Sequence, residues 1–292
     1  MIKTKAPRAK QAGTRSSTAR VGAAADPINL KRAEEAAVEA SRSVGLLMRR
    51  HLAETKQANE QSQYDIKLEL DVRAQNVIER TLRSAFPNVA VLGEEGVSGQ
   101  TDAEHRWVVD PIDGTVNFAY GIPHACVSIA LQGKASADKP SVYPDGYQTL
   151  VGVVYDPFVN ELWAASLGRP ARLNGRVISV SKRTRLEECL ISIGFAKSKE
   201  MLEKTLPYFN EVAHRVRKIR MMGAAALALS YVATGRFDAY IEQGIRLWDV
   251  AAGGFILECA GGEFWRQPID SQHGYRMIAT NGLLRDALQV PV

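Results

Sequence analysis

The apolar run Trp107-Val108-Val109 leads straight into Asp110-Pro111-Ile112-Asp113-Gly114-Thr115, so a strand suited to burial ends on two carboxylates three residues apart. Carboxylates at a buried strand end cost free energy unless donors or a cation meet them. The nearest basic residue along the chain, Arg106, stands at the other end of the strand. Pro111 keeps Asp110 extended and Gly114 permits a sharp turn, so this stretch can aim both acids at one spot. A divalent cation is the simplest partner. Oxygen donors without a matching His or Cys cluster favour a hard ion such as Mg²⁺ over zinc. Beyond Asp113, the backbone of Gly114 and Thr115 can turn N–H groups toward a phosphate.

Asp-Pro and Asp-Gly are also ordinary turn formers, so the pair alone decides little. Two further acidic sites change that. Leu92-Gly93-Glu94-Glu95-Gly96 places adjacent acids after another apolar run, with Glu95 read as a solvated neighbour, and Trp248-Asp249-Val250 places an acid where a helix begins. Asp249 alone would pass as a helix N-cap. Trp107 and Trp248 are expected to pack beside the acids. A phosphatase with an aspartate nucleophile in Asp-x-Asp-Gly-Thr is excluded, because the acids here are three apart and residue 111 is proline.

The rest of the chain supplies a frame for such a site. Leu30, Ala33, Ala37, Ala40, Val44 and Leu47 recur at three- and four-residue intervals and predict a helix over 27–52; a second is predicted over 72–84. Buried strands follow at 89–92, 107–109, 125–131, 150–155 and 161–165, with a long hairpin loop over 134–149. Helices at 199–216, 224–234 and 249–259 then alternate with strands at 190–194, 237–242, 263–265 and 276–280, which predicts an α/β layer. With 292 residues, 46% of them hydrophobic, the chain can bury a large core. Cys126, Cys189 and Cys259 have neither disulfide nor metal spacing and read as reduced core thiols of a cytoplasmic protein.

The net charge of +5 is not spread over this frame. The first 25 residues hold six of the 37 basic residues and none of the 32 acids, so the remainder is nearly neutral. This points away from nucleic acid as a partner. The segment 1–26 has almost no large apolar residues and is expected to be a disordered, solvated extension; its composition also matches an organelle transit peptide. No apolar run is long enough to span a membrane.

Together and in this order, the three acidic motifs resemble the inositol monophosphatase family of magnesium-dependent, lithium-sensitive phosphatases, and the resemblance covers the chain from Pro27 onward. It implies a five-layer α/β/α/β/α sandwich, with one half over 27–190 and a smaller α/β half over 191–292. It implies that Glu94, Asp110, the Ile112 carbonyl, Asp113 and Asp249 hold Mg²⁺, that Asp113, Gly114 and Thr115 contact the phosphate end of the substrate, and that Glu94 and Thr115 orient the attacking water. Asp71 matches the aspartate that hydrogen-bonds the catalytic threonine. The stretch before it departs from the family's usual Asp-Leu-Val-Thr-x-Thr-Asp, with Leu68 and Leu70 in place of threonines. Glu242 matches the acid that accepts substrate hydroxyls, and Gly223 and Ala224 match a segment lining the substrate pocket, where Ala224 replaces a frequent threonine. Arg246 faces that pocket, a dimer partner or simply the surface, and His124 reads as structural.

The implied activity is hydrolysis of a small polyol monophosphate, inositol 1-phosphate above all, by a homodimer. Fructose 1,6-bisphosphate, histidinol phosphate and 3′-phosphoadenosine 5′-phosphate are alternative substrates for the same chemistry. From another class, a non-catalytic binding protein using the basic tail is the rival reading.

Overall fold

The computed structural model describes residues 28–54, 58–61, 66–135, 142–195 and 199–289, so the tail 1–26 and the middle of the 134–149 loop lie outside the described residues. The elements are α1 (Leu30–His51), β1 (Ala58–Gln61), β2 (Ile66–Leu68), α2 (Glu69–Ala85), β3 (Ala90–Gly93), β4 (Gly96–Ser98), β5 (His105–Asp113) and α3 (Thr115–Ala119). Next come β6 (Cys126–Lys134), β7 (Tyr147–Asp156), β8 (Glu161–Ser166), β9 (Arg172–Leu173), β10 (Arg176–Val177), β11 (Leu190–Ile193), α4 (Lys199–Ala213) and β12 (Lys218–Arg220). The chain closes with α5 (Ala225–Ala233), β13 (Ala239–Arg246), α6 (Leu247–Cys259), β14 (Glu263–Pro268) and β15 (Gly274–Thr280).

Eight strands form one sheet in the order β10-β9-β8-β7-β6-β5-β3-β4, parallel only between β3 and β5. Five form a second sheet, β12-β11-β13-β15-β14, in which β11 runs parallel to both of its neighbours. The helices stack around them according to their apolar faces. α1 begins where the Asn29 side chain accepts the Arg32 N–H (3.0 Å) and ends on basic Arg49, Arg50 and His51, which suits its dipole. Its buried stripe, Ala33, Ala37, Ala40, Val44 and Met48, packs with Ile78 and Leu82 of α2 against Trp107, Val109, Ile129 and Val153 of the large sheet.

α5 and α6 lie between the two sheets and are apolar on nearly all sides, as a helix without a solvent face must be. They pack against Val108, Ala130 and Val154 on one side and Tyr240, Met277 and Ala279 on the other. Gly152 lets them approach, since a Cβ there would stand 2.8 Å from the Ala252 carbonyl oxygen of α6. On the outer face of the small sheet, Ile191, Ile193 and Ile241 meet Tyr208 and Val212 of α4. The layers therefore run α/β/α/β/α.

The helices and long strands fall where the sequence places them, with shifted ends. β5 continues through Asp113 instead of stopping at Val109, and α6 starts at Leu247. The hairpin β1–β2, the edge strands β4, β10 and β12, the two-residue β9 and the five-residue α3 are absent from the sequence reading. Two or three residues carry no period to detect. The β9–β10 turn does carry a signal, Asn174-Gly175, both at positive φ (48° and 81°). No helix among the described residues is long and apolar enough to cross a membrane.

Candidate active site

Residues three apart on a regular strand face opposite sides of the sheet, yet Asp110 and Asp113 both turn to the α5–α6 layer. The register supplies the reason. Asp110 pairs with Ser128 and Asp113 with Cys126, three steps on β5 against two on β6, so one extra residue bulges out and resets the alternation. Pro111, which has no N–H to give a ladder, is tolerated in such a bulge. The Asp110 Oδ1 accepts the Ile112 N–H (3.0 Å), which ties the bulge to the acid it aims. Gly114 follows at φ 91° and leads into α3.

Asp113 also does what Ala224 cannot. Ala224 is the N-cap of α5 and has no side chain to cap with. The Asp113 carboxylate reaches across instead, Oδ1 accepting Ala225 N–H (3.0 Å) and Oδ2 accepting Ala226 N–H (2.7 Å). Asp249 is the third residue of α6, not its N-cap, and its Oδ2 accepts the Arg246 N–H (2.8 Å). Ligand oxygens of Asp110, Asp113 and Asp249 all lie within 4.8 Å of one another.

Asp110 and Asp113 are 1% and 6% exposed. Burial, then the charges of Glu94, Asp113 and Asp249, push the Asp110 carboxyl well above the usual range. Burial and Asp249 push Asp113 up to about 7, against the pull of its two helix N–H donors. Burying a charge costs several kcal/mol, whereas each hydrogen bond to a charged group returns about 1.5–3 kcal/mol. Asp113, with two, recovers part of that cost and is still left raised; Asp110, with one backbone N–H and three like charges nearby, recovers less. Among the described residues no lysine or arginine pairs with either. A cation between the three carboxylates fits, and a hard one. The thiol beside the cluster, Cys126 with Sγ at 3.5 Å from Asp113 Oδ2, is one that burial and the acids hold protonated.

The cluster opens into a cavity of about 360 Å³. Besides the three aspartates, its lining includes Glu94, Ile112, Gly114 and Thr115, as well as Gly223, Ala224 and Glu242. Glu94 stands outside the tight trio but bears on Asp110 by its charge, and its N–H bonds Val109 O (3.1 Å). The Thr115 hydroxyl donates to the Ile112 carbonyl (2.8 Å). Asp71 does not line the cavity: it is the third residue of α2, buried, with its carboxylate accepting Leu68 N–H (2.8 Å).

Some expectations need correction. Trp107 is on the other face of the sheet from Asp110, packed edge-to-face on Phe86, because strand alternation sends 107 and 109 toward α1 and α2. Arg246 does not line the cavity; its guanidinium binds Asp270 (2.9 Å) and the Gln272 carbonyl (3.0 Å). The sequence reading also misses Asn117, whose side-chain amide donates to His124 O (2.9 Å) and Met222 O (2.8 Å) and so ties α3 to the segment before α5. Its signal was available, since Asn117 stands two residues beyond the Asp113-Gly114-Thr115 run.

Residues 29–273 match the model of the inositol monophosphatase family. A Xylella fastidiosa protein named Nus factor SuhB is 39% identical over 230 residues, covering 77% of this chain and 78% of its own. Tomato (Solanum lycopersicum) inositol monophosphatase 2 is 36% identical over 264 residues, 87% of this chain and 95% of its own. The crystal structure of the extragenic suppressor protein suhB from Bartonella henselae superposes with a TM-score of 0.77 at 33% identity, covering 87% of this chain and 95% of that one.

Proposed function

Because the chain belongs to the inositol monophosphatase family and is thus a phosphoric monoester hydrolase, we propose that it hydrolyses a small polyol monophosphate, inositol 1-phosphate first, with Mg²⁺ held by Asp110, Asp113, Asp249 and Glu94. The observation that carries this reading is the trio of carboxylates within 4.8 Å at the base of the cavity. When bound, magnesium supplies a Lewis acid and lowers the pKa of a water.

The residues of the chain do the remaining work. Thr115 already spends its proton on the Ile112 carbonyl, so its oxygen presents lone pairs to a water proton, and the Glu94 carboxylate accepts the other. Asp71 serves as acceptor when the Thr115 hydroxyl turns away from Ile112. The Gly114 and Thr115 N–H groups receive phosphate oxygens, Gly223 and Ala224 border the alcohol half, and Glu242 accepts one of its hydroxyls. The Ile112 carbonyl keeps a second lone pair for the ion.

The halves 27–190 and 191–292 meet at this site, the second bringing Glu242 and Asp249. A homodimer and a cytoplasmic location, in keeping with the free cysteines, belong to the same proposal.

Phosphate release from inositol 1-phosphate, fructose 1,6-bisphosphate, histidinol phosphate and 3′-phosphoadenosine 5′-phosphate, with and without Mg²⁺, tests the reading. Inositol 1-phosphate should be turned over fastest, and Asp110→Asn or Asp249→Asn should lower the rate more than about a hundredfold. Mg²⁺-dependent turnover surviving in either variant rejects the site.

A further inference from the structure

Glu242 has a partner on its own strand. Tyr240 and Glu242 are two residues apart on β13, so both point to the inner face of the small sheet, and the Tyr240 hydroxyl donates to Glu242 Oε2. Tyr240 is buried, at 3% exposure, and lines the cavity. Its burial and the Glu242 charge push the phenol well above its ordinary value, so it stays a protonated donor at any working pH.

The neighbouring strand completes the cradle. Ile193 of β11 pairs with Ile241, which brings Gly194 alongside Glu242. A Cβ at Gly194 would lie 1.9 Å from Glu242 Oε2 and 2.3 Å from its carboxyl carbon. Gly194 is not among the glycines at positive φ, so its conformation is open to other residues, and what it provides is space. Nor is its main chain at liberty to retreat, because its N–H bonds the Ile241 carbonyl (2.9 Å).

We propose that Tyr240 is a positioning residue and Gly194 the space beside it, together fixing the Glu242 carboxylate in the cavity wall as an acceptor for a hydroxyl of the substrate's alcohol half. They would then set the preference for polyol over simple aryl phosphates. This rests on the phosphatase reading of the same cavity. A glutamate turns about three bonds before its carboxylate, and fixing it in advance removes that ordering cost from substrate binding. A carboxylate accepts about four hydrogen bonds, and the bond from Tyr240 takes up a single one of those positions. The walls around it, Ile193, Met222 and Ile245 among them, are apolar, which strengthens a hydrogen bond made there.

The test compares kcat and KM for inositol 1-phosphate and for phenyl phosphate, which has no hydroxyl to offer, in the full chain and in Tyr240→Phe, Gly194→Ala, Glu242→Gln and the Tyr240→Phe/Glu242→Gln double variant. In Tyr240→Phe the ratio of kcat/KM for polyol over aryl phosphate should fall about fivefold, mainly through KM. Gly194→Ala should lower it at least as far, and the double variant should fall no further than Glu242→Gln alone. An unchanged ratio in Tyr240→Phe, or losses that multiply in the double variant, overturns the proposal. If the wild type hydrolyses neither compound, the functional reading fails by itself. The positioning claim is then decided by a crystal structure of Tyr240→Phe: a Glu242 carboxylate swung from its place supports it, and an unmoved one overturns it.

Discussion

Asp113 serves two structures at once, as a member of the acidic trio and as the cap of a helix that begins 112 residues later. Asparagine there would keep one acceptor and turn an NH₂ toward the second helix N–H, so Asp113→Asn should lose both turnover and stability, the cap alone amounting to about 1 kcal/mol. Asp110 differs in sign. It has one backbone donor and three like charges nearby, so Asp110→Asn should stabilise the metal-free protein by about 1–3 kcal/mol while abolishing stabilisation by the ion. Denaturant titrations with and without Mg²⁺ read both effects, and destabilisation of the metal-free protein by Asp110→Asn would contradict the account. The pH dependence follows from burial first and from the neighbouring carboxylates second. Asp113 is raised from 3.8 to about 7, so the folded metal-free state holds its proton longer than the unfolded chain does. Its contribution is fully favourable below about pH 4 and is lost as the pH rises toward 7. Asp110 is shifted in the same direction, and Asp110→Asn removes that titration, so the stability advantage of the variant over wild type should widen as the pH rises above about 4, measured as the difference in melting temperature. The three clustered aspartates stood out in the sequence because charge beside an apolar run is conspicuous. Asn117 and Tyr240 did not, because what makes them matter is a partner: one bonds a carbonyl 105 residues away, the other points the same way as a neighbour whose surroundings only the fold supplies.

Among the elements, β5 with its bulge decides the geometry. Periodicity finds α1 and α2, whose stripes are plain, and sheer apolar length finds α5 and α6. A bulge escapes such reading because it is a property of pairing: β5 takes three steps where β6 takes two. The strand expected to stop at Val109 in fact continues through Asp113, and the two acids converge by re-phasing. A similar step occurs in β13, where the register shifts between Gln243 and Ile245 and returns Ile245 to the face of Tyr240. The layer contact behind the site is as tight as the site itself. Gly152→Ala would press a methyl on the Ala252 carbonyl oxygen, 2.8 Å away, and main chain cannot yield as a side chain can. We expect a loss of about 1–3 kcal/mol, together with weaker Mg²⁺ binding by calorimetry, since the displaced helix carries Asp249. Unaltered stability and affinity would show that α6 is not held at this contact.

At the scale of the molecule, the site draws on the large sheet through Asp110 and Asp113, and on the middle helical layer through Asp249. Every residue proposed to act in it lies between Asp71 and Asp249, so removing residues 1–26 should leave Mg²⁺-dependent turnover within about twofold, and a large loss would give the basic tail a part in the chemistry. The family and its five layers were legible because the three acidic motifs occur as a set. The choice among alcohols was not, since it depends on how β11 and β13 lie side by side. The central claim is that carboxylates from two layers hold one ion, and anomalous diffraction from crystals soaked in Mn²⁺ tests it most directly. The account predicts a peak within about 2.0–2.4 Å of oxygens from Asp110, Asp113 and Asp249, lost in Asp249→Asn. A fully ordered cluster with no peak, or a peak that remains in that variant without change, would contradict it.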